Sequence, residues 1–331
     1  MMTGRERIET VLQRRRPDHP PVSCWYHFSH DQQSGPAAVE AHLRHLDKYD
    51  LDFLKVMNDL PFPRGEVNAV NTTADLRKIK PLDGDHGNLS EQITLIRELA
   101  RRVGKDVLIP TTLFNPWAIL RQMTRPPSHE HGTPKLDGQD DRDETISKLL
   151  AEDRAAVRSA LEALARTLAA FARAALDAGA SGLYMSVRDD WVNTPANGPE
   201  TYDELVRPAD LIILEAAKTA PLNILHVCGR PQNLPRFSDY PVHVLHWADR
   251  AAGPSIAYAR DRVKPTIAGG VDNLKTLPKG TPADVASEVA DALRQAKDRP
   301  IIIAPGCTFD PRAVPEENLR AMVDAARKGY A

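Results

Sequence analysis

Cysteine is scarce in this chain: 331 residues hold only three, Cys24, Cys228 and Cys307. An odd number this low excludes a disulfide framework, and makes any functional cysteine a metal ligand or nucleophile. Excess charge of either sign is also missing. Lys plus Arg number 43 and Asp plus Glu 45, a net charge of −2, so a polyanion-binding face, and with it a nucleic-acid partner, is not favoured. No apolar stretch approaches the ~18 uncharged residues of a membrane helix, and the N-terminus opens on a charged helical pattern rather than a signal-peptide core. The expectation is a cytoplasmic chain with no membrane partner. Internal repeats and low-complexity tracts are absent too. What is there, 42% hydrophobic and 27% charged residues, is the composition of an ordinary globular protein.

The apolar pattern alternates between two periods. Thr3 and Glu6 form a capping box for a first helix with Ile8, Val11 and Leu12 on one face, which Pro17 and the prolines at 20 and 21 stop. Strand patterns follow at 22–26, 52–57, 106–111, 182–187, 223–227, 242–247, 265–268 and 301–304. Helical spacing separates most of them: 37–49, 89–102, a long run ending at Gly179, 203–218, a segment opened by Thr281 and Pro282, and 315–330. Residues 115–139, with prolines at 116, 126, 127 and 134, read as a long excursion or lid. Eight strands mostly separated by helices predict a (β/α)8 TIM barrel with long loops at its C-terminal face, built as a single domain over 1–331. The competing architecture is an open α/β sheet with two edge excursions, because the helices after the second and sixth strands are weakly marked.

His226 and Cys228 lie two apart at the end of the fifth strand, so both side chains project to one side. Cys307 lies just past the eighth. In a barrel both strand ends reach the same mouth, which brings the three together as a His/Cys/Cys set. Zinc suits such donors, and three protein ligands with an open fourth position is the catalytic arrangement rather than the closed structural one. Glycines beside both cysteines, Gly229 and Gly306, let the backbone turn sharply there. Two readings of this spacing stay open on pattern alone: a metal centre, and cysteines serving as small core hydrophobes.

The chain resembles the uroporphyrinogen decarboxylase superfamily, in particular its zinc-dependent methylcobamide:thiol (coenzyme M type) methyltransferases. The resemblance rests on the opening Thr3-Gly4-Arg5-Glu6-Arg7 and Arg16-Pro17-Asp18, on His226-Val227-Cys228-Gly229, on Gly270-Val271-Asp272, and on Ala304-Pro305-Gly306-Cys307 followed by Pro315-Glu316-Glu317-Asn318-Leu319. It implies the same barrel. True decarboxylases carry an Arg-Gln-Ala-Gly-Arg stretch after the first strand, where this chain has Cys24-Trp25-Tyr26-His27-Phe28-Ser29-His30, and a histidine where it has Cys307. Without paired guanidinium groups a polycarboxylated tetrapyrrole loses its charge partners, so porphyrinogen decarboxylation is disfavoured. The methyltransferase branch implies His226, Cys228 and Cys307 as zinc ligands, a small thiol substrate and a methyl or other alkyl group supplied by a corrinoid protein or a small donor. The alternatives are a decarboxylase or lyase of a smaller acid and a non-catalytic corrinoid- or tetrapyrrole-binding module. The pattern permits a homodimer.

Other residues qualify for the same mouth. Asp272 is a candidate catalytic residue, as fourth ligand or substrate contact, with loop capping as its structural alternative. Asp190, with Asp189, is a candidate acid or base, against a reading as solvated loop aspartates. Lys55 and Asp59 flank the second strand's end, and His27 and His30 follow the first, beside the unassigned Cys24. His129-Glu130-His131 has ligating residue types in a setting that fixes none of them, and reads as a solvated loop. His243 and His246, three apart on a strand, face opposite sides and cannot chelate together; His246 and Trp247 belong to the cavity wall.

Overall fold

The computed structural model describes residues 2–127 and 140–330. Six parallel strands form one sheet in chain order: β1 (Thr111–Phe114), β2 (Leu183–Val187), β3 (Ile224–Val227), β4 (Val244–Trp247), β5 (Thr266–Val271) and β6 (Ile302–Pro305). Two further extended stretches close the ring. Val22 bridges Ile303 and Tyr26 bridges Phe309 on one side, while Phe53 bridges Leu108 and Val56 bridges Thr111 on the other. The Asp52 amide donates to the Val22 carbonyl at 3.0 Å and joins the two stretches to each other. Eight parallel segments in a closed order make the barrel, and the open sheet is ruled out because neither edge is left unpaired.

Alternation along the strands sorts the core into two layers, since successive side chains point to opposite faces. Leu225, Val227, Leu245, Ile267 and Ile303 pack with the surrounding helices. Ile224, Val244, Ala268, Ile302 and Ala304 pack instead with Trp25, Phe53 and Tyr184 inside the ring. The helix Gly4–Leu12, started by the Thr3–Glu6 capping box, contributes Ile8 and Val11 to that inner layer and stoppers one end of the barrel. None of the helices among the described residues is long and apolar enough to cross a membrane.

The structure differs from the sequence reading in that the stretches at 22–26 and 52–57 join through isolated bridges rather than as regular strands, and in two further elements. Regular pairing of the third strand begins at Thr111, not Asp106, because the Asp106 carbonyl is taken by the Arg5 amide and Pro110 has no N–H to give. The excursion at 115–139 begins as a buried helix, Pro116–Met123. Pro116 opens it rather than breaking it: at the first helical position the missing N–H costs nothing, and the Asn115 side chain accepts from the Ala118 amide at 3.1 Å. His129-Glu130-His131 lies outside the described residues.

Candidate metal centre

Strand register carries His226 and both cysteines to one place. Ser186, His226 and His246 lie level on adjacent strands, and the Cys228 amide continues the ladder by donating to the Val187 carbonyl at 2.8 Å. Across the mouth, the Gly306 amide donates to the Val271 carbonyl at 3.0 Å and hands the chain to Cys307. One donor atom from each of His226, Cys228 and Cys307 lies within 4.8 Å of the others, and among the described residues this is the group able to hold a metal ion. His226 Nε2 stands 3.4 Å from Cys307 Sγ. Its Nδ1 is buried with no hydrogen-bond partner.

Gly229 is required by the turn and Gly306 by close approach. Gly229 has φ +73°, and a Cβ there would sit 2.4 Å from the Arg188 guanidinium. A Cβ on Gly306 would lie 2.7 Å from the Ala248 backbone. Arg188 itself is buried, holds Asp190 through its Nε at 2.8 Å, and stacks on Trp191 at 4.1 Å.

The Cys228 S–H donates to Cys307; that bond, opposed by burial and helped by His226 and then Lys55, holds the Cys307 thiol well below its ordinary value, while the same bond, burial and the charge on Cys307 push Cys228 well above. A sulfur with a lowered pKa beside an imidazole and close to cationic groups is the chemistry of a soft-metal site. The donor set fits zinc: one imidazole, whose Nε2 faces a sulfur, and two thiols.

Neighbouring rings fix the imidazole. His246 stacks on His226 with centroids 4.6 Å apart. Its Nε2 lies 2.8 Å from the Pro305 carbonyl, which only accepts, so Nε2–H donates there and Nδ1 accepts from the Tyr184 hydroxyl, also at 2.8 Å. Burial, then the nearby His226, keeps His246 neutral by pulling its pKa well down. Lys55 reaches into the same lumen from the segment 53–56. It is 6% exposed, with Nζ 3.9 Å from the Tyr184 ring centre and 5.3 Å from that of Trp25. Burial pulls its pKa down to about 8, against the pull of charge on Cys307, Asp59 and Cys228.

The remaining candidates take other places. Asp272 follows β5, but its Oδ1 accepts the Leu274 and Lys275 amides at 2.8 and 3.0 Å, so the structure gives it the loop-capping role and leaves it out of the ligand cluster. Asp190 is tied to Arg188. Asp189 is not solvated: fully buried, it accepts the Gln232 and Asn233 amides and so anchors the loop after β3. Asp59, also buried, pairs with His27 at 2.7 Å, and His30 sits exposed in the short turn His30–Gln32. Cys24 is buried against His45, Sγ to Nε2 3.8 Å, outside the cluster. His243 accepts the Asn223 amide on the outer side, opposite His246 as their spacing requires. Tyr184 and Arg188 went unsingled in the sequence because a tyrosine within an apolar strand and an arginine at its end carry no local signature.

The family model for uroporphyrinogen decarboxylase (URO-D) matches residues 57–329. The chain belongs to the uroporphyrinogen decarboxylase family. Among solved structures, a methyltransferase from Methanosarcina mazei aligns over 100% of both chains with a TM-score of 0.71 and 18% identity. A putative vitamin-B12 independent methionine synthase from Listeria monocytogenes aligns more loosely, over 98% of this chain and 86% of that one, with a TM-score of 0.49 and 12% identity. At such identities the likeness is one of fold. No curated protein sequence matches the chain.

Proposed function

We propose that this family member is a zinc-dependent methyl (alkyl) transferase that activates a small thiol at His226, Cys228 and Cys307, the methyl group coming from a corrinoid carried by a partner protein. The observation that carries the reading is the convergence of these three donors within 4.8 Å at the end of the barrel strands. Three protein ligands rather than four is the count of a site that takes substrate. The segment Cys24–His30, lacking arginine, supports the choice of branch, since nothing there would hold a polycarboxylated ring.

A bound zinc ion would supply Lewis acidity, bringing a substrate thiol, which ionises near pH ~8.5 when free, to the thiolate form at neutral pH. The protein's residues do the rest. His246 and Tyr184 hold the His226 ring by stacking and by the Tyr184–His246–Pro305 hydrogen-bond chain. Trp25, Tyr184 and His246 exclude water from the floor of the site, all three being buried. Arg188, fixed by Asp190, packs over Gly229 and holds the turn that carries Cys228.

Metal analysis and turnover test this directly. Wild-type protein should bind about one zinc per chain and methylate a small thiol from methylcobalamin, and Cys307→Ser should lose both while keeping its fold by circular dichroism. Full methyl transfer by metal-free protein would overturn the zinc-dependent reading, and zinc-loaded protein that methylates no thiol but decarboxylates or cleaves a small acid would favour a lyase.

A further inference from the structure

The inner lane of the segment 53–56 is apolar except at one position. Phe53 and Met57 belong to the inner core layer, and between them, on the same side, stands Lys55, more than nine-tenths buried. Among the described residues its ammonium makes no hydrogen bond and no direct ion pair; the faces of Tyr184 and Trp25 hold it, and the charges of Cys307, Asp59 and Cys228 act on it without contact. Tyr184 in turn packs against His226, ring centres 5.6 Å apart, so the charge sits one aromatic ring away from the ligand cluster. Arg188, the other cation near the cysteines, is already neutralised by Asp190. Asp59, four residues on, is engaged by His27. A buried cation with no directly bonded acceptor is costly, and negative charge gained by the neighbouring centre lowers that cost.

The donor set says what arrives. One neutral imidazole and two thiolates balance a divalent ion, so the centre with three ligands carries no net charge. An anionic fourth ligand takes it to minus one, inside a wall of tryptophan, tyrosine and neutral histidine. Resting on the metal-centre reading above, we propose that Lys55 is the counter-charge of this centre: it makes the fourth position selective for an anionic sulfur ligand over a neutral donor. Lys55 is then a positioning residue, acting through the electrostatic field rather than by contact with the reacting atoms.

Cobalt(II) substituted for zinc gives the readout, since each sulfur ligand adds sulfur-to-metal charge-transfer absorption. Wild type, Lys55→Met and Lys55→Arg are loaded with cobalt and titrated at pH 7 with 2-mercaptoethanol, and separately with imidazole as a neutral ligand. All three should hold equal cobalt. Lys55→Met should bind 2-mercaptoethanol roughly tenfold to a hundredfold more weakly, as expected for losing one unit charge at this range in a partly polarisable interior, with Lys55→Arg restoring most of the loss and imidazole affinity unchanged. Equal thiol affinity in wild type and Lys55→Met, or equal weakening for thiol and imidazole, overturns the assignment while the metal centre stands. Failure of wild type to bind cobalt at all overturns both.

Discussion

His42 shows how a buried side chain makes this protein's stability depend on pH. It lies on the helix Gly35–Tyr49, 2% exposed. Its Nδ1 lies 2.7 Å from the Ala38 carbonyl and its Nε2 3.0 Å from the Met57 amide nitrogen. The carbonyl accepts and the amide donates, so the ring is the neutral Nδ1–H tautomer and a second proton would break the bond to Met57. Burial pulls its pKa from 6.5 to about 4. The folded state therefore binds fewer protons than the unfolded one between these values: the stability His42 contributes is full above pH 6.5 and lost as pH falls toward 4, about 3 kcal/mol in all. Asp210 works the other way. Buried with Tyr202, Tyr240 and Asn115 around it, its carboxyl is pushed up to about 7, and it favours the folded state as pH falls. The two are separated by difference. Glutamine has a carbonyl and an amide to replace both ring bonds but does not titrate, so urea unfolding of wild type and His42→Gln should diverge by about 3 kcal/mol between pH 6.5 and 4 and run parallel above pH 7. Parallel curves throughout would show that His42 takes up its proton equally in the folded and unfolded states, with no shift from burial.

At the scale of elements, caps of similar residue type differ in worth because of what else they touch. Thr281 opens the helix Pro282–Ala296 with a capping box to Asp284 at an exposed position, and Thr281→Ala should cost about 1 kcal/mol. Asn115 caps Pro116–Met123 while its amide donates to Asp210 at 3.1 Å, all of it buried. Asn115→Ala loses the cap and strips a partner from a buried carboxyl, and should cost about 2–4 kcal/mol. Denaturant midpoints give the order; equal losses would mean that Asp210 finds another donor. These helices also mark where local pattern suffices. The Thr281 start was legible because threonine, proline and aspartate stand in capping order before an apolar face. The Asn115 start was not, because Asn115-Pro116 heads a proline-rich stretch and only burial distinguishes a helix opener from a breaker. The site divides likewise: His226 and Cys228 declare themselves by strand spacing, whereas Lys55 gains its meaning from Tyr184, which lies 129 residues further along the chain.

For the whole molecule, closure of the ring is the step that places Cys307 opposite Cys228, and closure rests on the thinnest part of the barrel. The segments at 22–26 and 53–56 join it through isolated bridges, and a buried charge pair ties them to the stopper helix. Arg7 donates to Asp52 at 2.8 Å and to Asp18 at 2.7 Å, while the other Asp52 oxygen accepts the Val22 amide at 2.7 Å. The Arg7 and Asp52 side chains are only 9% and 4% exposed. Removing one partner leaves the other's charge buried and alone, which costs more than removing both. Arg7→Met should therefore destabilise the fold by about 3–5 kcal/mol, and adding Asp52→Asn should recover part of that loss, because asparagine keeps an acceptor for Val22 without the charge. Cobalt affinity of the His226–Cys228–Cys307 centre should follow the same order: weakest in Arg7→Met, intermediate in the double variant, strongest in wild type. Stability that falls while metal affinity holds would show that the mouth keeps its geometry without a closed floor, and would separate the barrel's stability from its site.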